Sequence, residues 1–325
     1  MLHFYTPKYM RNLILKTHKF FYRPNARHRY KFHNKPLWLV CNAGFRLAQL
    51  LLMGYLELYK HFNLYPKPLR RDNDIVVSLT SFPARINKVW MVVDSIFHQT
   101  LPPSEVRLYL SDEEFPQGKA SLPKRLLDYE KIGLKICLRP GRLMPHTKYY
   151  FALQECADKC VVTVDDDIYY HHDTIERLYN LHLSYPTCIC ANTLDIIALN
   201  EDGSFKSTSE WKRTQEPMPP SLRNCALGYD GVLYPPHAFR TKQVFDQERI
   251  KRLCLRADDM WLKMHEIIED IPAVCGEYYT TGPSILGSQV IALMYTNCSQ
   301  TNPINNDTQW LAMCKEYGVS NGKQL

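Results

Sequence analysis

Cys160-Val161-Val162-Thr163-Val164-Asp165-Asp166-Asp167-Ile168-Tyr169-Tyr170 is a short β-branched apolar run that ends in three consecutive carboxylates. Such a run reads as a buried strand of an open α/β sheet, with its acids at the exit edge where sheets of this kind place their ligands. Side chains alternate along a strand, so Asp165 and Asp167 are expected on one side and Asp166 on the other. Adjacent anions raise one another's pKa unless a cation compensates. Hard oxygen donors with no His or Cys in the run favour Mg²⁺ or Mn²⁺, held by one or two carboxylates with substrate phosphates completing the shell. The competing reading is a solvated loop or a helix cap, with Asp167 or Asp173 closing a helix that starts near Thr174.

Upstream of this stretch the pattern alternates. Ile75 to Thr80 reads as a buried strand, 85–98 as a helix with Val89, Val92, Val93, Ile96 and Phe97 on its apolar side, and 106–110 as a second strand ending at Ser111-Asp112. A helix over 122–130, a strand over 134–138 and a helix over 148–157 lead into the acidic strand. Repeated β-α units of this length predict an α/β fold: a mostly parallel, Rossmann-like sheet with helices on both faces. Downstream, 174–183 reads as a helix and 187–199 as one strand, followed by an Asp202-Gly203 turn. Residues 204–225 lack periodicity, and a long irregular stretch inside a compact domain is usually functional. Asp258 opens a helix that runs to about Glu269, and an N-cap role fits it on position alone.

The chain's 325 residues, 45% of them hydrophobic, suffice for a real core and exclude a disordered class. The net charge of +7 hides an asymmetry. Residues 1–71 hold 14 Lys or Arg against a single acid, Glu57, whereas 72–325 hold 26 basic and 32 acidic residues. A basic arm over 1–71 is thus expected beside a mildly acidic domain over 72–325, whose halves divide near residue 170. Within the arm, aromatics interleave with Lys and Arg up to residue 36, and a leucine-rich helical run extends to about Phe62, interrupted by Arg46, Gln49 and Glu57. The interruptions argue against a transmembrane span. An interfacial helix on an anionic membrane surface through residues 1–62, or an amphipathic helix packed on the main domain, both fit the run. No nucleic acid is expected as a partner. Pro66, Pro68 and the charged run to Asp74 read as a linker. Eleven irregularly spaced cysteines, with no apolar leader ahead of them, read as small core residues of a reduced, cytoplasmic protein.

Four motifs stand in order: Thr80-Ser81-Phe82-Pro83 after the first strand, Asp165-x-Asp167, Gly228-Tyr229-Asp230-Gly231, and Ala257-Asp258-Asp259-Met260-Trp261-Leu262 opening a helix. Together they resemble the nucleotide-sugar glycosyltransferases of the GT-A fold, most closely the family 2-like enzymes of bacterial surface-polysaccharide synthesis, over about residues 74–310. The resemblance implies sugar transfer from a UDP- or GDP-sugar to a glycan or lipid-linked hydroxyl, while the basic arm, which lies outside the resemblance, predicts peripheral attachment to the inner face of the cell membrane. It implies that Thr80, Phe82, Pro83 and Arg85 border the base, that Asp112 holds base or ribose, and that Asp165 and Asp166 lie near the sugar nucleotide. Asp165 and Asp167 would hold Mn²⁺ or Mg²⁺; Asp259, with Asp258 as the alternative, would supply the base of an inverting reaction. Trp211, Tyr229, Asp230 and Gly231 would lie on the acceptor side. The second strand ends Ser-Asp-Glu-Glu-Phe, a departure from the commoner Asp-Asp-Gly-Ser of family 2.

The chemistry asks for similar parts independently. A departing nucleoside diphosphate gains negative charge, which a divalent ion and a cation such as Lys148 or Arg142 can stabilise. The attacking hydroxyl must lose a proton to a separate carboxylate. Two rivals remain: a sugar-phosphate nucleotidyltransferase, which should carry a Gly-rich basic loop where this chain has Ser81-Phe82-Pro83-Ala84-Arg85, and a non-catalytic protein that binds membrane or nucleic acid through its basic arm.

Overall fold

The computed structural model describes residues 7–31, 35–70, 72–288, 297, 301–319 and 321–322. Expectations that fall on 1–6, on 32–34 and on 289–296 lie outside the described residues. Two helices come first, α1 (Pro7–Lys31) and α2 (Lys35–His61). The α/β alternation follows with β1 (Ile75–Thr80), α3 (Val89–Phe97), β2 (Glu105–Ser111), α4 (Lys124–Asp128), β3 (Leu134–Arg139), α5 (Thr147–Glu155), β4 (Cys160–Thr163) and α6 (Thr174–Ser184). Short strands come next: β5 (Ile189–Ala191), β6 (Leu194–Ile196), β7 (Lys212–Thr214), β8 (Met218–Ser221), β9 (Asn224–Ala226) and β10 (Val232–Tyr234). The remainder is α7 (Gln247–Leu253), α8 (Asp258–Ile268), β11 (Ala273–Cys275) and α9 (Asn306–Tyr317).

An eight-stranded sheet runs in the order β3-β2-β1-β4-β10-β5-β11-β8. Its first four strands are mutually parallel, β10 is antiparallel to both of its neighbours, β5 and β11 are again parallel, and β8 closes the edge antiparallel. The α/β class with a mostly parallel sheet is therefore observed. Strand alternation distributes the core over two faces. Ile75, Val77 and Leu79 of β1 pack with α3 and α6, while Val76 points the other way into a cluster with Ala152 and Cys156 around α5. A second core gathers Tyr149, β5, β10, β11, α8 and α9. All ten described cysteines are free and nine are buried, as small core residues.

The apolar run 187–199 is two strands, not one: β5 belongs to the large sheet, whereas β6 pairs with β7 and β9 in a three-stranded sheet. The turn residues Asn192 and Thr193 separate them and are engaged by side-chain bonds to Asp230, Asn192 Nδ2 to its carbonyl at 2.9 Å and Thr193 Oγ1 to its carboxylate. The irregular stretch 204–225 contains β7 and β8, strands of three and four residues that periodicity cannot detect. Pro219 and Pro220 are tolerated in β8 because it is an edge strand.

The basic arm is a helical hairpin docked on the domain. Ile14 and Leu15 of α1, with Leu52 and Leu56 of α2, enter the main core. His18 is fully buried with its ring 4.5 Å from that of Phe45 and 5.8 Å from that of His171, and burial lowers its pKa to about 3. Gln49, which looked like an interruption, is buried and donates to the Ser284 carbonyl at 2.6 Å. By length and composition alone α2 passes over Pro36–His61 for a helix able to cross a membrane, in spite of Arg46, Gln49 and Glu57. Leu52 and Leu56 pack one side of it against the domain. Its other side exposes Leu39, Val40, Leu47, Leu50, Leu51 and Leu58, an apolar stripe at helical spacing, with exposed Phe62 just past its end.

Candidate functional site

β4 stops at Thr163, so the three carboxylates sit in the turn beyond it and not on the strand. The strict alternation expected of Asp165, Asp166 and Asp167 is lost, and tertiary partners orient each one. Asp166 turns inward: its carboxylate accepts from Ser81 Oγ and from Arg85 Nη1, both at 2.6 Å. Asp167 shares the same guanidinium, with Nη1 at 3.1 Å. Asp165 points toward α5, where Lys148 Nζ donates to its Oδ1 at 2.6 Å, while its backbone N–H donates to Tyr170 Oη at 2.8 Å.

Burial, then the charge of Asp165, pushes Asp167 up to about 7 in spite of Arg85. Burial likewise raises Asp166, with Arg85 and Ser81 opposing. Buried carboxylates this close to one another hold their protons more tightly than exposed ones.

A strap over 281–288 lies across the turn. Tyr169 N–H donates to Pro283 O and Ile285 N–H to Asp167 O, both at 2.8 Å, while Arg85 Nη2 reaches Ser288 O at 2.9 Å. Gly282 is required for this approach, since a Cβ there would meet the Tyr169 carbonyl oxygen at 2.1 Å. Through Gln49 the strap is also tied to α2.

Lys148 links this turn to the second acidic pair. It is buried at the start of α5, whose first turn is pinned to β1 by Ser78 Oγ donating to the Lys148 carbonyl. Its ammonium stands 2.6 Å from Asp165 and 2.9 Å from Asp258 Oδ2. Burial alone would lower its pKa, but Asp165, Asp258 and Asp259 hold it well above the usual value. The same pairing reverses burial at Asp258, which is kept below the ordinary carboxylate range by Lys148 and His146.

Asp258 is therefore not the helix cap that its position suggested. Ala257 occupies the N-cap position of α8, without a capping side chain. Asp259 accepts from the Gly228 N–H at 3.0 Å, and burial together with the charge of Asp258 raises its pKa well above the carboxylate range. An added Cβ at Gly228 would lie 2.9 Å from Lys148 Nζ and 3.0 Å from Asp259 Oδ1, so any other residue there displaces the tips of both charged side chains.

The remaining candidates fall in three groups. Thr80 Oγ1 donates to the Tyr109 carbonyl at 2.9 Å, Phe82 lies beneath the Arg85 guanidinium at 5.5 Å, and Pro83 and Asp112 are exposed near the strand exits. Arg142 pairs with Glu114 at 2.9 Å and is mostly exposed. The acceptor-side set is not brought to the cluster as a unit. Trp211 packs edge-on against Trp310 at 5.1 Å inside the second core. Asp230 is fully buried, accepting from Thr281 Oγ1 at 2.9 Å, Gln215 Nε2 at 3.0 Å and Thr193. Burial raises it to about 6. Thr281 Oγ1 also accepts from Tyr22 Oη of α1 at 2.8 Å, so Asp230 anchors the hairpin and is sealed from an acceptor. Tyr229 connects to the site through its carbonyl, which accepts from Tyr170 Oη at 2.9 Å. Gly231 adopts φ 92°, a left-handed conformation that favours glycine.

Sequence reasoning missed Ser81, Tyr170 and the Gly228 amide as partners. The first two flank recognised motifs, but the third is a backbone contact that no composition signal reveals.

Among the described residues no group of three or more His, Cys, Asp or Glu is arranged to hold a metal. The donor set of Asp165 and Asp167 fits a hard divalent ion that takes its other ligands from phosphate and water, since Mg²⁺-type sites use one or two carboxylates.

No protein-family model and no curated protein matches this chain. Among solved structures, TarS residues 1–349 of S. aureus in complex with UDP aligns over 64% of this chain and 59% of its own length, with 14% identity and a TM-score of 0.42. The mannosyltransferase PcManGT from Pyrobaculum calidifontis, in complex with GDP-Man and Mn²⁺, aligns over 85% of this chain and 66% of its own, with 12% identity and a TM-score of 0.38. UTP-bound UGPase from Acinetobacter baumannii aligns over 71% and 95%, with 9% identity and a TM-score of 0.38. The chain thus spans less than two thirds of the TarS structure, and likenesses this loose carry no functional argument.

Proposed function

We propose that this protein is a metal-assisted, inverting glycosyltransferase that uses a UDP- or GDP-sugar. One observation carries the reading: two acidic groups from opposite halves of the fold, the Asp165–Asp167 turn and the Asp258–Asp259 pair, converge on one buried lysine. Transfer to a hydroxyl needs such a division, with cationic charge at the diphosphate and a separate carboxylate at the acceptor.

In this mechanism Asp165 and Asp167 would hold the divalent ion, which would supply Lewis-acid stabilisation of the diphosphate. Lys148 stays beside Asp165 and offers its ammonium to the leaving phosphate. Asp259, fixed by the Gly228 amide, takes the acceptor proton. Arg85 keeps Asp166 and Asp167 in place and buttresses the strap. The acceptor is a glycan or lipid-linked hydroxyl of surface-polysaccharide assembly. The exposed stripe of α2, beside a strongly basic arm, supports a seat on the anionic inner face of the cell membrane.

The test is a melting-temperature panel of UDP, GDP and CMP compounds with and without Mn²⁺. At about 100 times its dissociation constant a ligand stabilises by about 2.7 kcal/mol, readily seen as a shift. Metal-dependent stabilisation by UDP or GDP is expected, followed by release of nucleoside diphosphate from a sugar nucleotide. Pyrophosphate release from UTP and a sugar phosphate would move the protein to the nucleotidyltransferases.

Asp167→Asn is expected to leave the fold intact while removing metal-dependent nucleotide binding, measured by calorimetry. A carboxyl with its pKa raised to about 7 is protonated below that pH and must lose its proton to bind metal. Metal-dependent binding should weaken about tenfold per pH unit on acidification below it, and the Asn variant should lack this dependence. Unchanged metal-dependent binding in the variant would refute the assignment.

A further inference from the structure

The α1–α2 hairpin ends in a cavity of about 390 Å³ that lies outside the acidic site. Its walls include Lys60 and His61 from the last turn of α2, Lys124 and Arg125 from α4, and the carboxylates of Glu57 and Asp128. The carboxylates are already engaged. Asp128 accepts from Tyr65 Oη at 2.9 Å and Lys131 Nζ at 2.5 Å, and Glu57 pairs with Lys60 at 3.4 Å.

Arg125 is the unusual member. It is 7% exposed, with its guanidinium stacked on Tyr65 at 3.9 Å and flanked by Trp90 at 5.0 Å. Tyr129 at 5.6 Å and Tyr59 at 5.8 Å complete the aromatic surround, and one nitrogen donates to the Leu64 carbonyl, while Nε and Nη1 are buried with no hydrogen-bond partner among the described residues. Buried charged donors left unpaired are costly, and a planar guanidinium matches the oxygens of a phosphate. Leu58, Phe62 and Leu64, which alternate in sequence with the lining residues Glu57, Lys60, His61, Asn63 and Tyr65, are exposed and apolar. Lys60, Lys124 and Arg125 against Glu57 and Asp128 leave the lining one positive charge in excess, and a weakly cationic recess beside exposed apolar side chains is complementary to one ligand class, a phosphate with acyl chains attached.

We propose that this cavity receives the headgroup phosphate of an anionic phospholipid, with its chains against the α2 stripe. The site rests on the membrane seat of the proposed function and deepens it. The Gln49 bond to the strap then fixes the acidic site at a set height above the bilayer.

The experiment uses the full chain and two probes. A short-chain phosphatidylglycerol below its micelle concentration reads the cavity by calorimetry; vesicles of phosphatidylcholine with and without phosphatidylglycerol read the seat by co-sedimentation. Saturable one-site binding of the short-chain lipid is expected, at least about tenfold weaker in Lys60→Gln/Lys124→Gln. Arg125→Lys, checked for an unchanged fold by circular dichroism, should lose as much. Lys16→Gln/Lys67→Gln removes equal charge from exposed positions outside the cavity and should keep full short-chain binding. Equal losses in the two double variants, or inorganic phosphate binding as tightly as the lipid, would overturn the headgroup site. Vesicle binding without short-chain binding would overturn the cavity and leave the seat standing. Failure to bind any vesicle would overturn the seat itself.

Discussion

Lys148→Met is expected to slow sugar transfer by about 100-fold to 1,000-fold and to lower the melting temperature by several degrees, the melting shift being larger when no divalent ion is present. The ammonium is buried between Asp165 and Asp258, and Asp259 also contributes to its raised pKa. Methionine keeps the length and packs, but leaves those carboxylates facing one another without a cation. Breaking a buried pair by removing one partner typically costs about 3–5 kcal/mol, and protonation of the orphaned acids recovers part of this. For a chain of this size the remainder corresponds to several degrees. Mn²⁺ should restore part of the lost stability, because it supplies positive charge to the same carboxylates. Activity should not return with it. Removing the ammonium from the leaving phosphate resembles loss of an oxyanion-hole donor, about 100-fold to 1,000-fold in kcat. Scanning calorimetry and donor turnover with and without Mn²⁺ check both halves. A variant with normal melting temperature and normal turnover would show that Lys148 is neither the electrostatic keystone nor the phosphate cation.

What the sequence made legible follows the range of each interaction. Strands β1 to β4 were visible because a buried parallel strand needs a continuous apolar run, as Ile75 to Thr80 and Cys160 to Val164 supply. The acidic turn was visible because three carboxylates follow such a run directly. The orientation of each acid was not, because it depends on partners far along the chain: Ser81 and Arg85 for Asp166, Lys148 for Asp165. Asp258 looked like a cap for the same reason, as capping is a local signal while its ion pair with Lys148 is long-range. The run 187–199 hid a change of sheet because both strands are apolar and hydropathy cannot report which neighbour each one bonds. Gln49 illustrates the reverse error. A lone polar residue in a leucine-rich helix was read as a break, but it marks the face that docks on the Ser284 carbonyl. Trp211 likewise stood out as an aromatic in an aperiodic stretch, yet it is core, held against Trp310 on α9.

Asp259→Asn is expected to eliminate transfer while keeping donor and metal affinity near normal, and Asp258→Asn to impair both stability and donor binding. The pair is chemically divided by its surroundings. Asp258 is held ionised by the Lys148 ammonium, so its carboxylate is already committed to a cation. Asp259 has one oxygen on the Gly228 amide, and burial with the neighbouring charge raises its proton affinity. A carboxylate that binds a proton more tightly than usual is the stronger base once ionised. The sign of the pH dependence follows. Below its raised pKa Asp259 carries a proton and cannot accept one, so turnover should rise with pH through that value and level off above it. In the Asn variant the rising limb should vanish with the activity, while Asn still accepts the Gly228 hydrogen bond and preserves the local fold. Asp258→Asn leaves Lys148 with Asp165 alone, and its effect should exceed the roughly 1 kcal/mol of a lost cap, because a buried ion pair is broken. Donor affinity by calorimetry, melting temperature and pH–rate profiles with the true acceptor separate these outcomes. If Asp259→Asn turns over normally, or loses donor binding together with activity, the base is elsewhere; with Asp230 sealed beneath Thr193, Gln215 and Thr281, a retaining mechanism becomes the better reading.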